Sequence, residues 1–174
     1  CIVKENIMRL IDYINPYCWA VTLSTLYIAG GNGKAGNRMF ALDMQNGTQW
    51  NELPKMPSQP RVQPVLAAAR DAIYVWGGFS PTTEEHEAIV HTDGVKYDIS
   101  TGEWQQIGDI TADGKTVTLS GGTAIAINDS TIIATGGVDK DIFLDAERKA
   151  SGGYRFSPDG YLQHEMEASF PYEE

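Results

Sequence analysis

Ile73-Tyr74-Val75-Trp76-Gly77-Gly78 is a short apolar run closed by two glycines, and the pattern recurs as Leu26-Tyr27-Ile28-Ala29-Gly30-Gly31 and Ile132-Ile133-Ala134-Thr135-Gly136-Gly137. The first glycines of the three pairs stand 47 and 59 residues apart, so one unit is repeated, with extra chain in the last copy. Working outward, an Ala-rich segment precedes the run, Val62 to Ala69 in the second unit and Gly121 to Ile127 in the third. The turns between, Arg70-Asp71 and Asn128-Asp129-Ser130, suit hairpins. Downstream, Val95-Lys96-Tyr97-Asp98 leads through Ser100-Thr101-Gly102 to Glu103-Trp104-Gln105-Gln106-Ile107. The first unit has Phe40-Ala41-Leu42-Asp43, Asn46-Gly47 and Gln49-Trp50-Asn51-Glu52-Leu53 in the same places. Four strands per unit follow.

Runs such as Ile73 to Trp76 are apolar at successive positions, not alternate ones, so both faces of the sheet are to be buried. Stacking such sheets radially, as blades of a β-propeller, meets that demand because each blade packs on two neighbours. The repeat length fits the period of about 50 residues of kelch-type blades. Trp50 and Trp104 then fall on outer strands, packed against an adjacent blade. A β-sandwich with coincidental Gly-Gly pairs is the competing reading. The expected fold is therefore all-β, with kelch-type blades of four-stranded antiparallel sheets in an incomplete ring. Its parts are a lead over 1–16, blade 1 over 17–57, blade 2 over 58–110, and blade 3 over 111–174 with an irregular C-terminal hairpin and tail. At that period 174 residues hold about three blades, half of a larger ring.

Lys plus Arg total 13 against 23 Asp plus Glu, a net charge of −10 that repels phosphate backbones, so no nucleic-acid partner is expected. The longest apolar runs, such as Val65 to Ala69, fall far short of the roughly 18 residues of a membrane span, and no signal peptide is visible. Two cysteines, Cys1 and Cys18, are too few for a disulfide framework. Cys18 reads as a small buried hydrophobe or as a bridge to Cys1, and Cys1 as an ordinary residue or a lipidation site. Ile7, Leu10, Ile11 and Ile14 have helical spacing, so residues 5 to 14 are either a short amphipathic helix or a frayed strand. Asp145 to Ala150 has helix-former composition, while Ser157-Pro158-Asp159-Gly160 reads as the turn of a hairpin between Tyr154-Arg155-Phe156 and Tyr161-Leu162-Gln163.

Three stretches resemble the kelch-type bacterial N-acetylneuraminate epimerases, also called sialate mutarotases. Pro60-Arg61-Val62-Gln63 with Ile73 to Gly78 is similar to that family's Pro-Arg-x-Gln and Tyr-Val-Phe-Gly-Gly segments. Val95 to Trp104 matches a generic kelch hairpin. Gly136-Gly137-Val138-Asp139-Lys140-Asp141-Ile142-Phe143 is similar to the family's Gly-Gly-Val-Asn-x-x-Ile-Phe. The resemblance covers roughly residues 17 to 145 and implies part of a six-bladed propeller of about twice this length. The parent would be a cofactor-independent carbohydrate isomerase in the periplasm or cell envelope that interconverts sialic-acid anomers. It also implies a catalytic Glu in a later blade's Gly-Glu. Gly102-Glu103 lies in an outer hairpin, so that role passes to no residue of this chain, and the fragment is expected to be inactive. The family's helical insertion after the third blade is expected to be shortened or absent. The alternative is a kelch module that binds a glycan or protein and does no chemistry.

Mutarotation needs a base, an acid for the ring oxygen, and groups that hold the carboxylate. Arg61, just before an inner strand, could grip a carboxylate through paired hydrogen bonds or brace a loop by a salt bridge. Gln63, two residues on, shares its face on a strand and suits hydroxyls. Asn32 and Asp139, each just after a Gly-Gly, are candidates for sugar contact or for turn chemistry. Phe143 is a pocket wall or core. Glu84, Glu85 and Glu87 beside His86 and His91 look like an acid/base cluster, but the long loop from Phe79 to Thr92 is where solvated charge is expected, and they are read as solvated. No metal is expected, because the histidines lack ligand spacing and no Cys/His set completes a zinc site. No cofactor is expected. Sialic acid is the expected small-molecule partner of the full-length protein, and a half ring with bare blade flanks is expected to self-associate.

Overall fold

The structure, a computed structural model, describes residues 18–22, 24–31, 36–83 and 86–156. The expected N-terminal helix over 5–14, Cys1, the Cys18 side chain, Asn32, Glu84, Glu85 and the turn at 157–160 lie outside these residues.

Each Gly-Gly run becomes the second strand of an antiparallel sheet. In the first unit β1 (Cys18–Val21), β2 (Thr25–Ala29), β3 (Met39–Asp43) and β4 (Asn51–Glu52) pair in chain order. The second unit starts with β5 (Val65–Ala69) and β6 (Ala72–Trp76), then makes a short hairpin, β7 (Phe79–Ser80) with β8 (Ile89–Val90). It returns as β9 (Gly94–Asp98) and β10 (Glu103–Ile107), giving a sheet ordered β5-β6-β9-β10. A small hairpin, β11 (Thr111–Ala112) with β12 (Lys115–Thr116), leads to the third unit. There β13 (Thr123–Asn128) pairs with β14 (Thr131–Thr135), with an irregular register between Ala126 and Asn128.

The first two units carry four strands, as expected. Among the described residues the third carries two, because after Gly137 the chain enters helix α1 (Lys140–Phe156) and forms no third strand there. Asp139 starts the helix: its Oδ1 accepts the amide hydrogens of Asp141 and Ile142, each at 3.0 Å. Lys149 and Asp145 pair one turn apart at 3.2 Å. The helical segment expected to be short or missing thus runs 17 residues. Tyr154–Phe156, expected to open a hairpin, form its end.

Most of the core lies between the first two sheets. Ala20, Tyr27, Ala29, Met39 and Met56 of the first meet Leu66, Ile73, Val75, Val95 and Tyr97 of the second. Cross-strand partners share a face, and Ala68, Ile73, Tyr97 and Trp104 lie across successive strands in register. Trp104 packs on Tyr97, ring centroids 5.0 Å apart, and its Nε1 donates to the Pro54 carbonyl of the first unit at 2.7 Å. This outer tryptophan clamps onto the preceding blade as expected. The inner strand β5 lies beside both β1 and β13, so the three units fan out around their inner strands.

The paired glycines fit the same geometry. Gly77 has φ +64° and Gly78 φ +83°, a region L side chains rarely adopt. A Cβ on Gly78 would stand 2.6 Å from the Val62 carbonyl oxygen, and one on Gly77 would press on Leu119 at the start of the next unit.

Candidate functional site

Four of the five residues singled out from sequence are described, and the topology gathers them at one end of the units, where the Gly-Gly loops meet the segments leading into the inner strands. Backbone hydrogen bonds tie these segments together. Val62 and Phe79 exchange two, at 2.8 and 3.0 Å. Gly31 N donates to Arg61 O at 3.0 Å, Gly121 N to Gln63 O at 3.1 Å, and Val138 N to Ser120 O at 3.1 Å. Thr118 Oγ1 also donates to the Val138 carbonyl. Gln63 is thereby linked to the loop bearing Asp139.

Gln63 is exposed and has φ +51°, a left-handed conformation that is uncommon outside glycine. Its backbone therefore does not continue the strand alternation assumed for it: β5 begins only at Val65. Its side-chain Oε1 lies over Gly121, 3.5 Å from where a Cβ would stand. Asp139 is exposed, with one carboxylate oxygen occupied by the helix amides. Phe143 is half-buried and meets Phe79 edge to face, centroids 4.8 Å apart. Glu103 lies exposed on β10, the outermost strand of its sheet, far in register from these loops.

Arg61 takes the bracing alternative. The residue is 2% exposed, and the carboxylate it grips is the chain's own. Its Nη2 reaches both oxygens of Asp93 at 3.2 and 3.3 Å, Nη1 donates to the Gly77 carbonyl at 3.0 Å, and Nε to the Gln59 carbonyl at 3.4 Å. The guanidinium thus locks the lead-in segment to the Gly-Gly turn and to the start of β9. Burial pushes the Asp93 carboxyl up, but the Arg61 hydrogen bond and charge, with the Gln106 amide at 2.9 Å, outweigh it. The net position is below the usual carboxylate range.

His91 departs from the solvated loop expected between Phe79 and Thr92. It is 8% exposed, its Nε2 2.7 Å from Ser80 Oγ, with Nδ1 4.0 Å from Asp93. Burial, then the nearby Arg61 charge, push its pKa down to about 4 against the pull of Asp93, so the ring is neutral at pH 7. Serine, histidine and aspartate in line suggest a nucleophile, but the proton count excludes it. Ser80 Oγ has one hydrogen and donates it to the Pro60 carbonyl at 2.7 Å, so His91 Nε2 must carry a hydrogen and donate to Ser80. A ring protonated at that atom cannot take the serine proton. His86 and Glu87 of the same loop are exposed, as expected. The short β7–β8 pairing, with Ser80 and Ile89 in register, and the bond from the His91 amide to the Gly78 carbonyl at 2.8 Å place His91 beside Ser80. Among the described residues no three His, Cys, Asp or Glu side chains are placed to hold a metal ion, and no helix is long and apolar enough to cross a membrane.

An open cavity of about 580 Å³ lies along the inner strands. Its lining from β1, β5, β13 and β14 is Trp19, Ala, Val, Leu, Ile and Thr side chains, with no titratable group.

The sequence profile of N-acetylneuraminate epimerase matches residues 20–150. The N-acetylneuraminate epimerase of Salmonella enteritidis PT4 is 30% identical over 114 residues, which cover 65% of this chain and 29% of that protein. The epimerase of Pasteurella multocida is 28% identical over 131 residues, 74% of this chain and 33% of that one. The solved structure of YjhT superposes with a TM-score of 0.67 at 24% identity, covering 91% of this chain and 44% of the other, a likeness that shows the fold. The chain thus spans less than half the length of the proteins it matches.

Proposed function

We propose, from the premise that this chain belongs to the N-acetylneuraminate epimerase family, that it supplies three successive blades of a sialic-acid mutarotase-like propeller and binds the sugar acid without turning it over. The observation that carries this reading is the connected loop end. Gln63 and Asp139 are exposed there beside the half-buried Phe79–Phe143 pair, while Arg61, Asp93, His91 and Ser80 are spent on bracing. An amide and a carboxylate edge suit sugar hydroxyls, and an aromatic wall suits the ring face. Anomer exchange needs in addition an acid and a base on the anomeric hydroxyl and ring oxygen. Among the described residues at this end, the Asp139 carboxylate is half engaged by the helix, and His91 is sealed against Ser80. Asn32 belongs to the same reading by its position after Gly31. The periplasm or cell envelope is the compartment that goes with it.

The engagement of Asp139 by the helix amides and of His91 by Ser80 favours a second reading, a binding module that recognises a glycan and catalyses nothing. A backbone-amide NMR titration with N-acetylneuraminate tests the binding step. Shifts concentrated at Gln63, Gly121 and Asp139 support it. Shifts confined to the outer strands, or none, overturn it.

A further inference from the structure

We propose that Asn46 is a site of spontaneous covalent modification, where the chain's own backbone converts the asparagine to aspartate and isoaspartate and so loosens the outer edge of the first unit. The inference is independent of the sugar reading. It rests on the Asn46-Gly47 turn that joins β3 to β4. Asparagine before glycine suits a tight hairpin turn, and glycine, having no Cβ, leaves its nitrogen open to the neighbouring side chain.

Three observations select this asparagine. Asn46 is exposed at the tip of the turn. Thr101 holds the same place in the second unit, since Gly47 N donates to Asp43 O at 2.8 Å and Gly102 N to Asp98 O at 2.9 Å. Thr101 is exposed as well, in a unit flanked on both sides by others, so the exposure belongs to the turn itself. Position 47 is closed to larger residues: a Cβ there would stand 2.2 Å from the Asp43 carbonyl oxygen, so the fold keeps glycine next to Asn46. The other described asparagines are placed differently. Asn128 Oδ1 accepts hydrogens from Ser130 N at 2.9 Å and Ser130 Oγ at 3.0 Å, Asn37 Oδ1 is buried, and Asn51 lies in β4 before Glu52. Asn32-Gly33 repeats the dipeptide outside the described residues.

The step balances within the chain and water. Gly47 N loses its proton and bonds to Asn46 Cγ, and the side-chain nitrogen leaves with that proton as ammonia. Water then opens the cyclic imide at either carbonyl. Opening at Cγ leaves aspartate, while opening at the main-chain carbon leaves isoaspartate, with the backbone running through Cβ and Cγ. Gly47 N must first leave the Asp43 carbonyl, and β4 yields locally because two residues, Asn51 and Glu52, pair it to β3. Isoaspartate lengthens the main chain of a turn whose Asp43–Gly47 bond fixes its span. β4 is thereby displaced, with the Glu52 carboxylate that grips Arg38 at 2.8 and 2.7 Å and the Leu53 amide that donates to Met39 O at 2.9 Å. Aspartate instead sets a second carboxylate beside Asp43, whose Oδ1 accepts the amide hydrogens of Gln45 and Asn46 at 2.8 and 3.3 Å.

The test is incubation of the 174-residue chain in mildly alkaline buffer, its fold followed by circular dichroism, then trypsin digestion and mass spectrometry. Cleavage after Arg38 and Lys55 isolates Asn46 on the peptide 39–55, apart from Asn32. That peptide should gain one mass unit, faster at higher pH, and accept a methyl group from isoaspartyl methyltransferase. With Asn46→Thr, the residue of the second unit's turn, the peptide should not change. Hydrogen exchange at the Leu53 amide should speed up in the converted chain and stay slow in the variant. A peptide that stays unconverted in the folded chain overturns the proposal, and conversion confined to the urea-unfolded chain would show that the turn protects its asparagine. Conversion at Asn128 or Asn51 ahead of Asn46, or conversion that leaves Leu53 exchange unchanged, overturns it as well.

Discussion

Acidification should weaken the fold through one buried ring. His91 has a folded pKa of about 4 against an ordinary 6.5, so between those values the unfolded chain binds a proton that the folded chain refuses. Its contribution is complete above about pH 6.5, falls away as the pH drops toward about 4, and loses nothing more below that. At about 1.4 kcal/mol per pH unit, this gap corresponds to about 3 kcal/mol. The ring is 8% exposed, so solvent screening reduces this little. Asp93, held low by Arg61, adds a further loss at more acidic pH as its carboxylate is neutralised. Urea unfolding midpoints measured at about pH 7 and pH 4 give the total. The variant His91→Gln isolates the histidine, because an amide at the same reach donates to Ser80 Oγ but does not titrate. Wild type should lose about 3 kcal/mol more than the variant over that interval. Equal losses, or a His91 ring whose NMR titration midpoint lies near 6.5, would refute the reasoning.

Gly78→Ala places a methyl 2.6 Å from the Val62 oxygen at φ +83°, whereas Gly114 at φ +76° has nothing within 4 Å. Gly114→Ala should cost only the left-handed conformation, about 1–2 kcal/mol, and Gly78→Ala clearly more, by thermal unfolding. Trp104→Phe keeps the packing on Tyr97 but loses the bond to Pro54, so about 1 kcal/mol of stability should go; an unchanged urea midpoint contradicts that. Gln63→Ala should leave stability nearly unchanged, because the side chain is exposed, and weaken N-acetylneuraminate binding by about 1 kcal/mol in a calorimetric titration.

The repeat was legible because it is written in strong local signals: apolar residues at consecutive positions, turn residues at fixed offsets, and glycines where the backbone turns left-handed. Trp104 was legible too, since its place in the hairpin fixes the direction it faces. Less local features were hidden. Ser80 and His91 meet through two-residue strands, too short to show any periodicity, inside a segment whose Glu84, Glu85 and Glu87 read as solvated. The burial of Arg61 depends on Asp93, 32 residues away, and a sequence does not tell a carboxylate of the chain from one on a ligand. Helix α1 was masked by Gly152-Gly153 near its end, each costing about 1 kcal/mol relative to alanine in a helix. Its start, capped by Asp139, resembles a turn as closely as a helix.

The proposed reading is of family blades that hold the sugar acid without turning it over. Saturation-transfer NMR between the α and β anomers of N-acetylneuraminate, with and without the chain at catalytic concentration, tests it most directly. The account predicts an exchange rate equal to that of buffer alone. A rate that rises in proportion to the concentration of the chain would contradict it.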